Sequence, residues 1–231
     1  MKKAFAVVAL FMLCAVVPTR ADQAKSEVQG RIDSATATLR ELAATPDKGI
    51  PDEVYKNAKC VAVVPRMLKG AFIFGGKHGR GLATCRVPDG GWSAPAFFTI
   101  SGGSWGLQVG AESIDLVMMI MNDEGARHLL QNKFQVGADA SGAAGPVGRN
   151  ASAGVDWKLD TQILTYSRSK GLFGGIDLEG SWIERDSDSV KALYGTDVST
   201  NDLLTGKVPV PSEAKTFIAE VARVKTEAER R

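Results

Sequence analysis

Twenty-one of the chain's 25 glycines fall between Gly70 and Gly180, with no fixed period. Glycine inside a strand weakens it unless a tight bend or a close backbone approach requires it. At this density, among apolar and β-branched runs, it points to a strongly curved sheet or barrel, where bulges and kinks let strands coil. The runs are short: Cys60 to Val64, Ala71 to Phe74, Leu82 to Val87, Ala96 to Ile100, Gly106 to Val109 and Ile114 to Met121. Pro65-Arg66, Gly75 to Gly81 and Pro88-Asp89-Gly90-Gly91 read as the turns between them. Connections so short suit antiparallel hairpins, because parallel strands need crossovers of about a dozen residues or more. Further strands are read at 134–138, 151–158, 161–168 and 172–184, around a glycine-rich bend from Ser141 to Arg149.

Helices bracket and interrupt these strands. Val28, Ile32, Ala35, Leu39 and Leu42 recur at helical spacing, which predicts an amphipathic helix over 22–45. A short helix follows from Asp52 to Lys59, and Asn122 caps one that runs to about Asn132, with Asp123 and Glu124 at its positive end. Asp188 to Tyr194 forms another, closed by Gly195, and Pro211-Ser212 opens a last one with Phe217, Val221, Val224 and Ala228 on one face. The predicted class is α+β: a strongly curved, mainly antiparallel, glycine-rich sheet or barrel with N-terminal, mid-chain and C-terminal helices.

Residues 1–21 read as a cleaved export signal. Lys2 and Lys3 precede the apolar stretch Ala4 to Val17, and Thr19 and Ala21 supply the small residues of a cleavage site. That stretch is shorter than the ~20 residues a spanning helix needs. Leu13 beside Cys14 departs from the small residue that a lipid-attachment site wants, so lipidation is not expected. The expected organisation is a signal at 1–21, one domain over 22–206 and a helical extension over 207–231, in a periplasmic or secreted protein held peripherally at the envelope. Without Lys2, Lys3 and Arg20, 25 basic residues face 26 acidic ones. Nucleic-acid binding then has no global electrostatic drive.

The sequence carries no recognisable catalytic motif. Gly76-Lys77 is followed by His78 rather than the Ser or Thr of a phosphate loop, and Gly142, Gly145 and Gly148 miss the dinucleotide fingerprint. Gly102-Gly103-Ser104-Trp105-Gly106 lacks the spacing of a nucleophile elbow. Two histidines and the two cysteines beyond residue 21, Cys60 and Cys85, make a poor zinc inventory. No catalytic residue, metal or cofactor is assigned. In an oxidising compartment Cys60 and Cys85 could form a disulfide closing about 25 residues, worth about 3 kcal/mol. Two buried thiols on separate strands is the other reading.

What remains is local positive charge beside apolar groups. Arg66 and Lys69 flank one turn, and Lys77, His78 and Arg80 fill the next. Arg149 ends the glycine-rich bend, and Arg168 and Lys170 precede Leu172-Phe173. Basic tips with apolar neighbours are what an anionic lipid surface attracts, at about 1 kcal/mol per cation near the headgroups. They also keep hairpins soluble and block edge pairing, a bland reading that spacing alone favours.

The same residues carry a resemblance. Lys69-Gly70-Ala71-Phe72, Gly79-Arg80-Gly81, Gly91-Trp92-Ser93-Ala94-Pro95, Gly106-Leu107-Gln108-Val109-Gly110, Ala143-Ala144-Gly145-Pro146, Tyr166-Ser167 with Ser169-Lys170-Gly171-Leu172-Phe173, and Asp177-Leu178-Glu179-Gly180 occur in order. The chain thereby resembles the SYLF domain family, the lipid-binding domain of yeast and animal actin-patch regulators, over about 35–206. The resemblance implies non-enzymatic binding of phosphoinositides or other anionic phospholipids, with actin association in eukaryotic members and an N-terminal amphipathic helix that contributes to membrane contact. An exported protein does not meet cytoplasmic actin, so the expected partner is an anionic phospholipid surface. The lipid-site residues taken from both lines are Lys69, Lys77, Arg80, Arg149, Arg168, Lys170 and Phe173. Two other readings stand beside this one: a barrel that carries a hydrophobic small molecule, and a module whose terminal helices dock an envelope protein.

Overall fold

A computed structural model describes residues 20–44, 49–71, 74–105, 110–147, 161–169 and 172–231. Among these residues the chain folds as a strongly curled sheet wrapped by helices, an α+β architecture. In chain order the elements are α1 (Arg20–Ala43), α2 (Asp52–Asn57), β1 (Cys60–Ala71), β2 (Phe74–Cys85), β3 (Ala96–Trp105), β4 (Gly110–Ile120) and α3 (Asp123–Leu129). There follow β5 (Lys133–Gln135), β6 (Gly142–Ala144), β7 (Ile163–Ser169), β8 (Leu172–Gly175), β9 (Trp182–Arg185), α4 (Ser187–Tyr194), α5 (Thr200–Leu204) and α6 (Lys215–Arg230). The strand order is β5-β9-β3-β2-β1-β4-β7-β6, with β8 also on β7. Every pairing is antiparallel except β6 on β7.

Two stretches read as turns are strand. β1 runs straight through Pro65-Arg66, and β2 runs through Gly75 to Gly81, so the Ala71–Phe74 run is the boundary between two long strands. Opposite these glycines β1 slips register between Val64 and Met67, with Arg66 at φ 52 and its N–H donating to Oδ1 of Asp115 at 3.0 Å. A Cβ on Gly79 would lie 2.5 Å from Cγ1 of Val64, and one on Gly81 would lie 2.7 Å from the carbonyl oxygen of Val63. The glycines give the bulge its space; they do not break the strand. The reading at 172–184 divides into β8 and β9, separated by a bend with Gly180 at φ 75. The strands read at 106–109 and 151–158 lie outside the described residues.

The helices follow their caps. Oδ1 of Asn122 accepts from the N–H of Gly125 at 2.8 Å, Asp186 caps α4, and Gly195 closes it at φ 73. α5 was not anticipated, although its signal is present: Oγ of Ser199 accepts from the N–H of Asp202 at 3.1 Å and donates to the Asp202 carboxylate at 2.7 Å. The stripe Val28, Ile32, Ala35, Leu39 and Leu42 is buried. It belongs to a helix that packs on α6, α4 and β1. Exposing each larger side chain would cost about 1.5–3 kcal/mol, so a docked α1 has no apolar face to offer a membrane. The Cys60–Cys85 disulfide is formed, between residues directly opposite each other on β1 and β2.

Candidate functional site

Register gathers several strand ends at one end of the sheet. Ala71 lies opposite Gly75 and Gly110, and Phe74 opposite Trp105. Ser169, opposite Leu172, also reaches the Glu112 carboxylate near the start of β4. This rim carries the two most exposed large apolar side chains among the described residues, Leu172 at 77 % and Leu68 at 60 %. Just inside it Lys69 stands directly opposite Lys77, with Glu112 on its other side. Like charges facing each other across a ladder are destabilising, and Glu112 beside Lys69 offsets part of that cost. The Lys77 side chain is buried, and its Nζ reaches only the carbonyl oxygen of Asp177, at 3.3 Å, among the described residues. Burial holds its ammonium below the usual amine range; Asp177 opposes that shift and Lys69 adds to it.

Strand alternation separates cations that the sequence placed in one turn. Lys77 shares a sheet face with Lys69, whereas Arg80, three residues on, points to the helix-covered face. There its Nε donates to Oδ2 of Asp186 at 3.1 Å and its Nη1 lies 3.7 Å from Glu27. Arg168 is bound by Oδ2 of Asp115 at 3.0 Å and by the Glu41 carboxylate of α1. The rim thus sets Lys69 beside Lys77, whereas Arg168, held by Glu41 of α1, and Arg80 lie on the other, helix-covered face. Arg149 and Lys170 lie outside the described residues, as does the side chain of Phe173, whose backbone belongs to β8.

A second arrangement escaped sequence reasoning. On the helix-covered face, Nη1 of Arg31 donates to Oδ2 of Asp186 at 3.1 Å and to Oγ of Ser189 at 3.0 Å, while Nη2 of Arg80 reaches the same Oγ at 3.1 Å. Two guanidinium groups therefore share one buried carboxylate. Burial holds the Arg31 guanidinium below its ordinary value and the charge of Arg80 lowers it further; Asp186 and Glu27 oppose both. These groups border a cleft of about 390 Å³ lined by Glu27, Arg31, Arg66, Leu68, His78 and Arg80, with the backbone at Gly30, Pro65 and Gly79. The cap pattern Asp186-x-x-Ser189 was the signal for half of this network. Nothing local marks Arg31 as its partner, 155 residues away. Elsewhere, partly open cavities beside Tyr55 and beside Phe97 hold about 20 Å³ each, room for a water but not an acyl chain, and an open groove of about 400 Å³ runs beside Trp92, Val210 and Ile218.

A family model described as Ysc84, Las17-binding protein actin regulator, matches residues 101–224, from the end of β3 into α6. The chain belongs to this family. Its relatives include the SH3 domain-containing YSC84-like protein 1 of Rattus norvegicus, 33 % identical over 196 residues that cover 82 % of this chain and 57 % of the relative. Protein YSC84 of Saccharomyces cerevisiae is 35 % identical over 171 residues, 73 % of this chain and 36 % of the relative. An SH3 domain-containing protein of Schizosaccharomyces pombe is 38 % identical over 169 residues, 71 % of this chain and 39 % of the relative. The chain spans little more than half the length of the animal relatives and less of the yeast ones. The family resemblance read from the motifs therefore holds.

Proposed function

We propose that this protein is a non-enzymatic module that docks on anionic phospholipid membranes through the rim of its sheet. The observation that carries the reading is the meeting of exposed Leu172 with the opposed cations Lys69 and Lys77 at one end of the sheet. Leu172 contributes about 1.5–3 kcal/mol if it leaves water for the acyl boundary, and the more accessible Lys69 about 1 kcal/mol near anionic headgroups. The sequence between the rim strands, Phe72-Ile73 and Leu107-Gln108-Val109, adds apolar character to the same connections. The basic leader sequence supports export, which makes an envelope lipid such as phosphatidylglycerol the partner rather than actin.

Co-sedimentation of the full chain with phosphatidylcholine vesicles, with and without phosphatidylglycerol, tests this. Binding that requires the anionic lipid and weakens from 50 mM to 500 mM salt is the expected outcome, because exposed charges are screened beyond about 8 Å at physiological ionic strength. Equal recovery with neutral vesicles, or no recovery with either, would overturn it.

A further inference from the structure

We propose that the cleft between α1 and the β1–β2 bulge is a binding site for a phosphate monoester. This deepens the membrane reading, and rests on it only where the ligand is a lipid headgroup rather than a free phosphate ester.

Three independent features meet there. The first is charge. Within the lining Arg31, Arg66 and Arg80 face Glu27 and the shared carboxylate of Asp186, Asp115 behind the Arg66 N–H is engaged by Arg168, and His78 adds a ring that can donate a hydrogen bond. Asp186 is already engaged by Arg31, Arg80 and Ser189, and so has little left to offer the outermost donors. The Nη1 of Arg80 finds only Glu27, at the long separation of 3.7 Å, and the Arg66 guanidinium joins no ion pair among the described residues.

The second feature is backbone strain. Arg66 is the one non-glycine residue at positive φ among the described residues. A left-handed conformation costs an ordinary side chain about 1–2 kcal/mol, and such strain persists where the surroundings over-determine it. The bulge and the Asp115 bond hold Arg66 at the mouth of the cleft; an asparagine or glycine would fill the same turn without that cost.

The third is space. Gly30 sits within α1 with nothing within 4 Å of where a Cβ would be, although alanine would favour the helix by about 1 kcal/mol. The opening of about 390 Å³ suits a phosphoryl group with a short polar stem, and Leu68 and Pro65 supply an apolar lip. A monoester, with three terminal oxygens and a second negative charge, satisfies several guanidinium donors at once; a diester offers two oxygens and one charge.

The test uses the full chain and glycerol phosphate as a soluble probe that needs no membrane. Saturable binding at millimolar concentration or below is expected by calorimetry. Arg66→Asn, which keeps a residue tolerant of the left-handed backbone, should weaken it about tenfold, the effect of one charge-assisted contact. Glu27→Gln, which removes the opposing carboxylate, should tighten it about threefold. Absence of saturable binding, or equal affinity in Arg66→Asn and the parent chain, overturns the proposal. Failure of the rim reading would instead appear as loss of vesicle binding with glycerol phosphate binding intact. Vesicles of phosphatidylcholine with phosphatidic acid or phosphatidylglycerol, matched for surface charge, separate the sources. A preference for phosphatidic acid that Arg66→Asn abolishes assigns the site to a lipid headgroup; equal binding to both vesicles, with glycerol phosphate affinity retained, assigns it to a free phosphate ester.

Discussion

Nη1 of Arg31, on α1, stands 3.1 Å from Oδ2 of Asp186, the residue that caps α4, and both side chains are buried. Removing the acid while keeping the base leaves two guanidinium groups facing each other out of water. Asp186→Ala should therefore destabilise the fold by about 3–5 kcal/mol, read from the urea midpoint. Burial pushes the Asp186 carboxyl up, but its bonds from Ser189 and the charges of Arg80 and Arg31 outweigh that, and it lies below the usual carboxylate range. With the folded value depressed, its contribution is complete above the unfolded value and is lost as pH falls through the folded one. The urea midpoint should fall from about pH 4 downward, and that slope should be shallower in Asp186→Asn.

Three tyrosines separate what a buried hydroxyl costs from what it contributes. Oη of Tyr194 donates to the carbonyl oxygen of Pro95 at 2.7 Å, while the buried hydroxyls of Tyr55 and Tyr166 have no protein partner among the described residues. Tyr194→Phe should lose about 1 kcal/mol, and Tyr166→Phe should be neutral or gain about 1 kcal/mol, by thermal or urea unfolding. The ring of Tyr166 is not dispensable in the same way. A Cβ on Gly145 would lie 2.2 Å from its Cζ, so Gly145→Ala should cost about 1–3 kcal/mol.

The disulfide ties residues 25 apart in sequence. Replacing both Cys60 and Cys85 by Ala should lower stability by about 3 kcal/mol through the entropy returned to the unfolded chain. Both positions are buried in the ladder, so the circular dichroism of the folded variant should match that of the parent. A loss well below 1 kcal/mol would mean that the unfolded chain keeps these two strands together without the bond.

At the rim, stability and binding should move independently. Leu172→Ser removes a side chain that is 77 % exposed, so the unfolding midpoint should stay within about 0.5 kcal/mol of the parent while affinity for anionic vesicles drops about tenfold. Lys69→Gln removes one of two like charges opposed across the ladder. Because Glu112 stands on its other side, the fold should change by less than about 0.5 kcal/mol, while vesicle binding weakens about fivefold and the salt dependence flattens.

Local physics made much of this molecule readable. The spacing of Val28, Ile32, Ala35, Leu39 and Leu42 gave α1, the caps at Asn122 and Gly195 bounded α3 and α4, and the glycine density pointed to a curved sheet. The same glycines misled at Gly75 to Gly81, because a turn and a strand opposite a bulge both need a missing Cβ. Only the partner strand, with Val64 and Met67 pressed against Gly79, distinguishes them.

Which elements exist was settled by periodicity and capping, interactions that span a few residues and are therefore written in the order of the chain. Which cations lie together was settled by tertiary structure alone. Period-two alternation sent Lys77 and Arg80 to opposite faces of one strand. Chain reversal brought Arg31 to Asp186, and register set Lys69 against Lys77. Each of these depends on the pairing of segments distant in sequence, and the charge of a side chain carries no mark of the partner it will meet.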